Sequence, residues 1–159
     1  HAFTIHASGA NFAHRHNYLD LDPTYRDKLG NPLVRMTYNF RDNDRKLSAF
    51  VTGKAVEIAK AMKPTILGTP MPRRGNFHIV PYQSTHNTGG TIMGPDPKAS
   101  VVNRYMQSWE ADNLFVIGAS TFPQNPAPPP TGAVGALSYW AADAITNRYL
   151  KSPGPLAHA

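Results

Sequence analysis

Proline is the residue that most constrains this chain, because 15 of its 159 residues are proline. This is about twice the usual share of about 5%. Proline has no backbone N–H and a fixed φ, so it interrupts helices and inner strands. The sequence therefore predicts long ordered loops rather than a compact helical bundle. The length still suits one domain with a buried core.

Two consecutive segments keep a clear periodicity. Apolar and polar residues alternate from Val34 to Phe40, which predicts a strand with one buried and one solvated face. A helix is predicted next, capped by Asp42 or Asn43 and ending before Pro64. Its apolar residues recur at helical spacing: Leu47, Phe50, Val51, Ala55, Ile58, Ala59 and Met62.

The remaining segments are punctuated by turn residues. Residues 1–32 are predicted to be loop with short extended pieces, and Thr65 to Ile79 to be a surface excursion. The short apolar run from Leu114 to Ile117 predicts a buried strand. Thr131 is predicted to begin the last helix, whose small first-turn residues allow close approach to its backbone. The apolar face of that helix comprises Val134, Leu137, Ala141, Ala144 and Ile145.

Charge and cysteine content exclude several kinds of protein. The net charge of +6 comes from scattered residues, without the basic runs or interleaved aromatics of a nucleic-acid-binding surface. No stretch approaches the roughly 20 apolar residues of a membrane span. The chain has no cysteine, which excludes disulfides and thiolate metal sites.

Histidines suggest two kinds of site. His6, His14 and His16 lack the second spaced pair of a zinc site, so no metal is predicted. His86 lies in the run Ser84-Thr-His-Asn-Thr-Gly-Gly-Thr-Ile-Met-Gly94, beside a bend that glycine permits. A neutral imidazole with a pKa of about 6.5 suits removal of a hydroxyl proton. The alternative is a structural histidine bonded to a backbone carbonyl.

A second run completes a recognisable pair with the His86 motif. It reads Asp112-Asn-Leu-Phe-Val-Ile-Gly-Ala-Ser-Thr-Phe-Pro and is followed by a proline-rich turn and Thr131-Gly-Ala-Val-Gly-Ala-Leu. Together the two runs resemble the C-terminal part of the glucose-methanol-choline family of flavin-dependent oxidoreductases, over roughly Tyr18 to Leu150. The bacterial branch that acts on gluconate and related sugar acids or polyols is the most similar.

The resemblance implies an α+β fold. An antiparallel substrate-domain sheet with a flanking helix would be joined to a C-terminal strand-helix unit that completes an FAD-binding domain. Residues 1–95 would be substrate-binding, residues 96–150 would belong to the FAD-binding domain, and residues 151–159 would be a tail. The chain has no Gly-x-Gly-x-x-Gly, the dinucleotide cradle that family members keep near their N-terminus. FAD should therefore not be held tightly by this segment alone.

The resemblance also implies residue roles. His86 would be the general base that faces the substrate hydroxyl, while hydride leaves for flavin N5. The residues implied to contact FAD are Asn87, Gly89, Gly118, Ala119, Ser120, Pro130, Thr131 and Gly132. Asn87 and Gly89 equally suit an ordinary turn.

One position departs from the family pattern. Family members usually place Asn or His just before the Pro-Thr pair that opens the last helix, but this chain has Pro129 there. Proline cannot donate a hydrogen bond or orient a substrate oxygen. Three alternatives remain: Asn125 takes that part, His86 works alone, or turnover is impaired.

By resemblance, the chain is a fragment of an FAD-dependent dehydrogenase that oxidises a sugar, polyol or sugar acid. Its implied partners are a cytochrome c subunit and a small subunit, and its implied location is the periplasm, peripheral to the inner membrane. A second hypothesis is a noncatalytic binding module, whose basic charge and proline-rich Pro126 to Pro130 would recruit a partner. An enzyme requires His86 in a concave site beside the start of the last helix.

Overall fold

The computed structural model describes residues 2–82, 84–127 and 129–158. These residues form an α+β structure with two antiparallel pairs of strands and two α-helices. The elements are β1 Asn11–Phe12, β2 Tyr18–Arg26, β3 Pro32–Thr37, α1 Asp42–Ala61, a 3₁₀ turn Ala119–Thr121, β4 Gln124–Asn125, α2 Thr131–Ala144 and a π turn Ile145–Tyr149. Strand β1 pairs with β4, and β2 pairs with β3. We call residues 2–82 the N-terminal body, and residues 92–127 with 129–158 the C-terminal body.

A tight turn joins β2 and β3 into a hairpin. The Asp27 carboxylate accepts hydrogen bonds from the backbone N–H groups of Leu29 and Asn31, at 2.8 and 2.9 Å. Gly30 adopts φ +86°, a left-handed conformation that favours glycine. The prediction of mostly loop over residues 1–32 is therefore wrong for β2. Alternation of Leu19 and Leu21 with aspartates was the signal that could have identified it.

The predicted strand of residues 34–40 forms, but its limits and its burial differ. Strand β3 ends at Thr37, and the predicted buried face is exposed: Val34 is 70% and Met36 is 53% accessible. Leu21 and Leu19 lie opposite these two residues in β2, so all four side chains share one apolar face. A two-stranded hairpin has no second layer of its own, and no described element covers this face.

The predicted first helix is confirmed as α1, but the predicted cap is wrong. The residue before the helix is Arg41, whose backbone N–H donates to the Asp44 carboxylate at 2.8 Å. Asp44 thus satisfies a donor at the helix start from the third helical position. The apolar stripe is only partly covered, since Phe50 and Ile58 remain exposed.

The core of the N-terminal body is a small aromatic cluster around Phe40. Phe40 is buried and contacts the rings of Tyr38, Phe77 and Tyr82 edge-on, with centroid separations of 5.1 to 6.0 Å. The Arg73 guanidinium lies 4.8 Å from the Phe40 ring centroid. Phe77 and Arg73 belong to the predicted surface excursion, which is confirmed as an irregular and mostly exposed segment.

The C-terminal body has a denser core, with buried Val102, Met106 and Thr121. Gln107 is also fully buried and is bonded on every side. Its amide N–H₂ donates to the carbonyls of Asp112 and Gly154, at 2.7 and 2.9 Å, and its carbonyl accepts from the Leu156 backbone. The C-terminal tail is therefore fastened to the core through one side chain.

The two remaining structural predictions have opposite outcomes. Residues 114–117 do not form a buried strand: Phe115 makes an isolated bridge with Gln107, and Leu114 and Ile117 are 50% and 45% accessible. The run lacks neighbouring strands on which to build a ladder. The last helix does begin at Thr131, and Ala141 and Ala144 on its predicted apolar face are buried. Neither helix is long and apolar enough, over the described residues, to span a membrane.

Candidate functional site

A half-open cavity of about 290 Å³ lies between the two bodies. The N-terminal body contributes Asp44 and Ser48 from α1 and Arg73 from the irregular segment. The other wall includes His86, Asn125 and Pro129. Residues 7–11 also line the cavity. The volume lies just below the usual range for ligand sites, about 300–1,000 Å³, and suits a molecule of monosaccharide size.

The short β1–β4 ladder carries Asn125 to this cavity. Asn125 lies opposite Asn11 in the ladder, and the Ala13 backbone N–H extends the pairing to the Pro123 carbonyl at 3.2 Å. The Asn125 side-chain N–H₂ donates to the His86 backbone carbonyl at 2.6 Å. Two predicted catalytic positions that lie 39 residues apart are thus in direct contact.

The backbone around His86 is held from both sides. The Ser84 hydroxyl accepts from the His86 backbone N–H at 3.1 Å, and Asn125 donates to the carbonyl. The His86 residue is exposed, so its imidazole is not enclosed by the described chain. An exposed imidazole beside a cavity retains the freedom to accept a proton from a ligand hydroxyl.

The proline-rich stretch belongs to the cavity wall. Pro126 and Pro129 line the cavity, and Pro130 is buried at the start of α2, whereas Pro128 lies outside the described residues. Pro129 brings no polar side chain to its place in the wall. His86 and the segment that leads into the last helix therefore bound the same space.

The first turn of α2 is open to a ligand. No described side chain caps the helix, so the N–H groups of its first turn, including Thr131 and Gly132, lack side-chain acceptors. A Cβ added at Gly132 would have no described atom within 4 Å. Unpaired N–H groups and the positive end of the helix dipole suit an anionic edge, such as the N1 and C2 carbonyl region of a flavin.

The predicted cofactor segments around Gly89 and Ser120 run side by side. The Gly89 backbone N–H donates to the Ala119 carbonyl at 3.3 Å, and that of Thr91 donates to the Ser120 carbonyl at 2.8 Å. The Thr91 and Ser120 hydroxyls are also bonded at 2.8 Å. The two sequence motifs therefore form one continuous surface next to the 3₁₀ turn.

Gly118 and Gly89 both have a positive φ, but they differ in the space around their Cα atoms. Gly118 has φ +141°, and a Cβ there would meet no described atom within 4 Å, so space for a ligand remains. Gly89 has φ +89°, but a Cβ there would lie 2.9 Å from the Ala13 Cβ. The lack of a side chain at Gly89 is explained by packing within the chain. Asn87 is exposed beside His86, and the roles assigned to these residues stay predictions.

Some polar residues of the cavity were not identified from the sequence. Asp44 is 94% buried; one of its oxygens accepts the Arg41 N–H, and the other has no hydrogen-bond partner among the described residues. Ser48 accepts the Arg73 backbone N–H at 2.8 Å. Asp44 and Ser48 are four residues apart on one helix face, a spacing that could have indicated a shared surface.

The charged side chains at the cavity change the pKa of Tyr38. Burial raises the pKa of the Tyr38 phenol, and the Asp44 carboxylate raises it further. The Arg73 guanidinium and a hydrogen bond from the Asn11 side chain oppose this increase in the pKa. Asp44 and Arg73 are therefore close enough to act electrostatically on the same side chain.

The N-terminal histidines do not join this site. His14 is half-buried, and its Nε2 has no partner among the described residues, while the adjacent Arg15 donates to the Lys98 carbonyl at 2.6 Å. Across the described ranges, no group of three His, Asp or Glu side chains has an arrangement that could hold a metal ion.

Comparison with known proteins gives a consistent set of matches. The model of the GMC oxidoreductase family matches residues 13–138. A gluconate 2-dehydrogenase flavoprotein from Pantoea cypripedii is 50% identical over 160 residues, covering 100% of this chain and 26% of the relative. A fructose dehydrogenase large subunit from Gluconobacter japonicus is 34% identical over 149 residues, covering 92% of this chain and 26% of the relative.

A third relative, 2-methyl-1,2-propanediol dehydrogenase from Mycolicibacterium austroafricanum, is 32% identical over 133 residues, covering 84% of this chain and 23% of the relative. The chain thus spans about a quarter of the length of the curated relatives that it matches.

Proposed function

Because the chain belongs to the GMC oxidoreductase family, we propose that it is the substrate-side part of an FAD-dependent dehydrogenase. The whole enzyme would oxidise a CH–OH group of a sugar, polyol or sugar acid, with His86 as the general base. The observation that carries this proposal is the cavity shared by His86, Asn125 and Pro129, which lies two residues before α2. A binding module would not require these three regions to converge.

His86 would take the proton of the substrate hydroxyl. A neutral imidazole accepts a proton near neutral pH and releases it to solvent afterwards. The exposure of His86 leaves a route for that release. General-base help of this kind typically contributes about 10² to 10⁴-fold in rate.

Asn125 would act as a positioning residue for His86. Its amide holds the His86 carbonyl at 2.6 Å, so it fixes the backbone from which the imidazole extends. Its side chain also lines the cavity, although the Pro129 position provides no donor. This arrangement supports the alternative in which Asn125 takes over part of the task of the missing polar residue.

The chain's own residues fit one wall of a flavin site. Gly118, Ala119 and Ser120 would lie along the cofactor, and Pro130, Thr131 and Gly132 would present the N-terminus of α2 to its anionic edge. Asn87 and Gly89 would complete this wall beside His86. Bound FAD would supply the acceptor for the hydride that leaves the substrate carbon.

The names of the relatives support a proposal for substrate and partners. The names of these relatives specify gluconate, fructose and a diol, which share the CH–OH group. The fructose dehydrogenase relative is named as a large subunit, which supports assembly with further subunits. We propose a small subunit and a cytochrome c subunit as partners, and a periplasmic location peripheral to the inner membrane.

The test uses a fusion of this chain to the N-terminal portion of the Pantoea relative, loaded with FAD. Dye reduction is measured with gluconate, glucose, fructose and sorbitol. We expect turnover that falls by about 10² to 10⁴-fold in His86→Ala. His78→Ala is the matched control, because His78 is also exposed but does not line the cavity. Flavin binding without turnover on any of the four substrates would refute the proposal.

A further inference from the structure

Arg73 and Arg74 are adjacent in the sequence but lie in different environments in the structure. Arg73 lines the cavity that contains His86, whereas Arg74 does not. The Arg74 backbone is instead bonded to the Tyr82 hydroxyl, which donates to the Arg74 carbonyl at 3.0 Å. The sequence gives the two residues equal weight, so only the fold distinguishes them.

Arg73 is held in place at its backbone and at its guanidinium. Its backbone N–H donates to the Ser48 hydroxyl at 2.8 Å, which ties it to α1. Its guanidinium lies over the Phe40 ring, at 4.8 Å from the centroid, and Phe40 is buried. When a guanidinium packs against the face of an aromatic ring, its N–H groups point outward around the edge. They remain free to form two hydrogen bonds to one carboxylate.

The charge of Arg73 has no counter-ion among the described residues. The described ion pairs join other residues, and no described acceptor binds the guanidinium. Asp44 lines the same cavity, but it bonds the Arg41 backbone N–H at the positive end of α1, which offsets its charge. The cavity thus contains one available cation.

The free guanidinium of Arg73 suits a ligand that has a carboxylate. Arginine binds a carboxylate through two parallel N–H···O bonds. Resting on the proposed function, we propose that Arg73 binds the carboxylate of a sugar-acid substrate and so gives the enzyme its preference for an anionic over a neutral polyol.

The experiment compares Arg73→Gln with Arg74→Gln in the FAD-loaded fusion. The KM and kcat are measured for gluconate, which is anionic, and for sorbitol, which is neutral and of similar size. We expect Arg73→Gln to raise the KM for gluconate by about 10 to 100-fold, as for loss of a charge-assisted hydrogen bond, and to change the KM for sorbitol less than about threefold. Arg74→Gln should leave both unchanged, and Arg73→Lys should restore part of the gluconate affinity.

A second readout does not depend on turnover. Gluconate should raise the Tm of the wild-type fusion and of Arg74→Gln, because a ligand stabilises the form that binds it, but not that of Arg73→Gln. Equal increases in KM for both substrates in Arg73→Gln, or a gluconate-induced Tm increase that survives in this variant, would overturn the inference. If only the role of Arg73 is wrong, the wild-type fusion still turns over substrate. If the proposed function is wrong, the wild-type fusion shows no turnover.

Discussion

The two bodies of the molecule bury their apolar residues to very different extents. In the C-terminal body, Val102, Met106 and Gln107 are at most 1% accessible and lie within six residues of one another. In the N-terminal body only Phe40 and Asp44 are buried among the described residues, and the hairpin presents an exposed apolar face. Apolar residues therefore form a closed core in one body and an exposed surface in the other.

The difference shows that burial depends on the number of layers. The C-terminal core is enclosed by loops, by α2 and by the tail, and Gln107 bonds the loop at Asp112 to the tail at Gly154 and Leu156. The β2–β3 hairpin has the correct alternation but no second layer over Leu21 and Val34. The proposed site lies between the bodies, where the open one provides Arg73 and Asp44.

The largest expected effect is on the closed core. Gln107→Ala should lower the free energy of unfolding by about 3 kcal/mol, because it leaves a cavity at a residue that is 1% accessible and removes three hydrogen bonds to partly buried backbone groups of Asp112, Gly154 and Leu156. Urea unfolding of the chain measures this loss. Gln124→Ala is the control, since Gln124 is exposed in β4, and should change stability by less than about 0.5 kcal/mol. Equal losses of unfolding free energy in Gln107→Ala and Gln124→Ala would show that the hydrogen bonds of Gln107 do not stabilise the C-terminal core.

A matched valine pair compares the bodies directly. Val102→Ala should cost about 2 kcal/mol, because Val102 is 0% accessible and its removal leaves a cavity. Val34→Ala should cost less than about 1 kcal/mol, since Val34 is 70% accessible and only its strand preference is lost. Unfolding of both variants in urea tests the comparison. A Val34→Ala cost as large as that of Val102→Ala would mean that the hairpin face is covered in solution.

Tyr38 should report the charges at the cavity. Burial and the Asp44 carboxylate raise its pKa above the usual 10.0, so its contribution to stability is full below about pH 10 and is lost as the pH rises through the raised pKa. Asp44→Asn should lower the pKa of Tyr38, and Arg73→Gln should raise it. Ultraviolet titration of tyrosinate, with Tyr38→Phe to identify the step, measures both. Shifts in the opposite directions would contradict the placement of these charges.

The smallest effect concerns the hairpin turn. Backbone N–H groups of Asn31 and Leu29 lower the pKa of Asp27 below its usual 3.8. The stabilisation is therefore present above pH 3.8 and is lost as the pH falls through the lowered pKa. Amide NMR signals of residues 27–31 should shift at that pH, while those of the C-terminal core stay unchanged. Asp27→Asn should remove the transition, and a transition that persists in this variant would assign it to another group.

Local patterns predicted local structure well. Both helices and the irregular segment of residues 65–79 form where periodicity and proline indicated, because such signals depend on neighbouring residues. The alternation in β3 also placed Val34 and Met36 on one face correctly. Their exposure could not be predicted, since it depends on whether another layer packs against the strand. The prediction of a buried strand over residues 114–117 was wrong for the same reason.

The candidate site was only partly predictable. The motif pair identified His86 and the α2 start, and the family match agrees with the resemblance from which they were chosen. Asp44 was not anticipated, because a helix-start aspartate ordinarily serves the helix alone. Its unpaired oxygen became visible only with the position of the cavity.

The sequence by itself determined the two helices, the loop-rich character of the chain and membership of its family, because these depend on short-range periodicity, proline and contiguous motifs. The tertiary structure decided which apolar residues are buried and which polar residues meet. Asn125 reaches the His86 carbonyl through strand pairing with Asn11, and Arg73 is separated from Arg74 by its contact with Phe40. These contacts join residues that are 33, 39 and 114 positions apart in the sequence, so local sequence patterns do not specify them and only the tertiary fold brings the residues together.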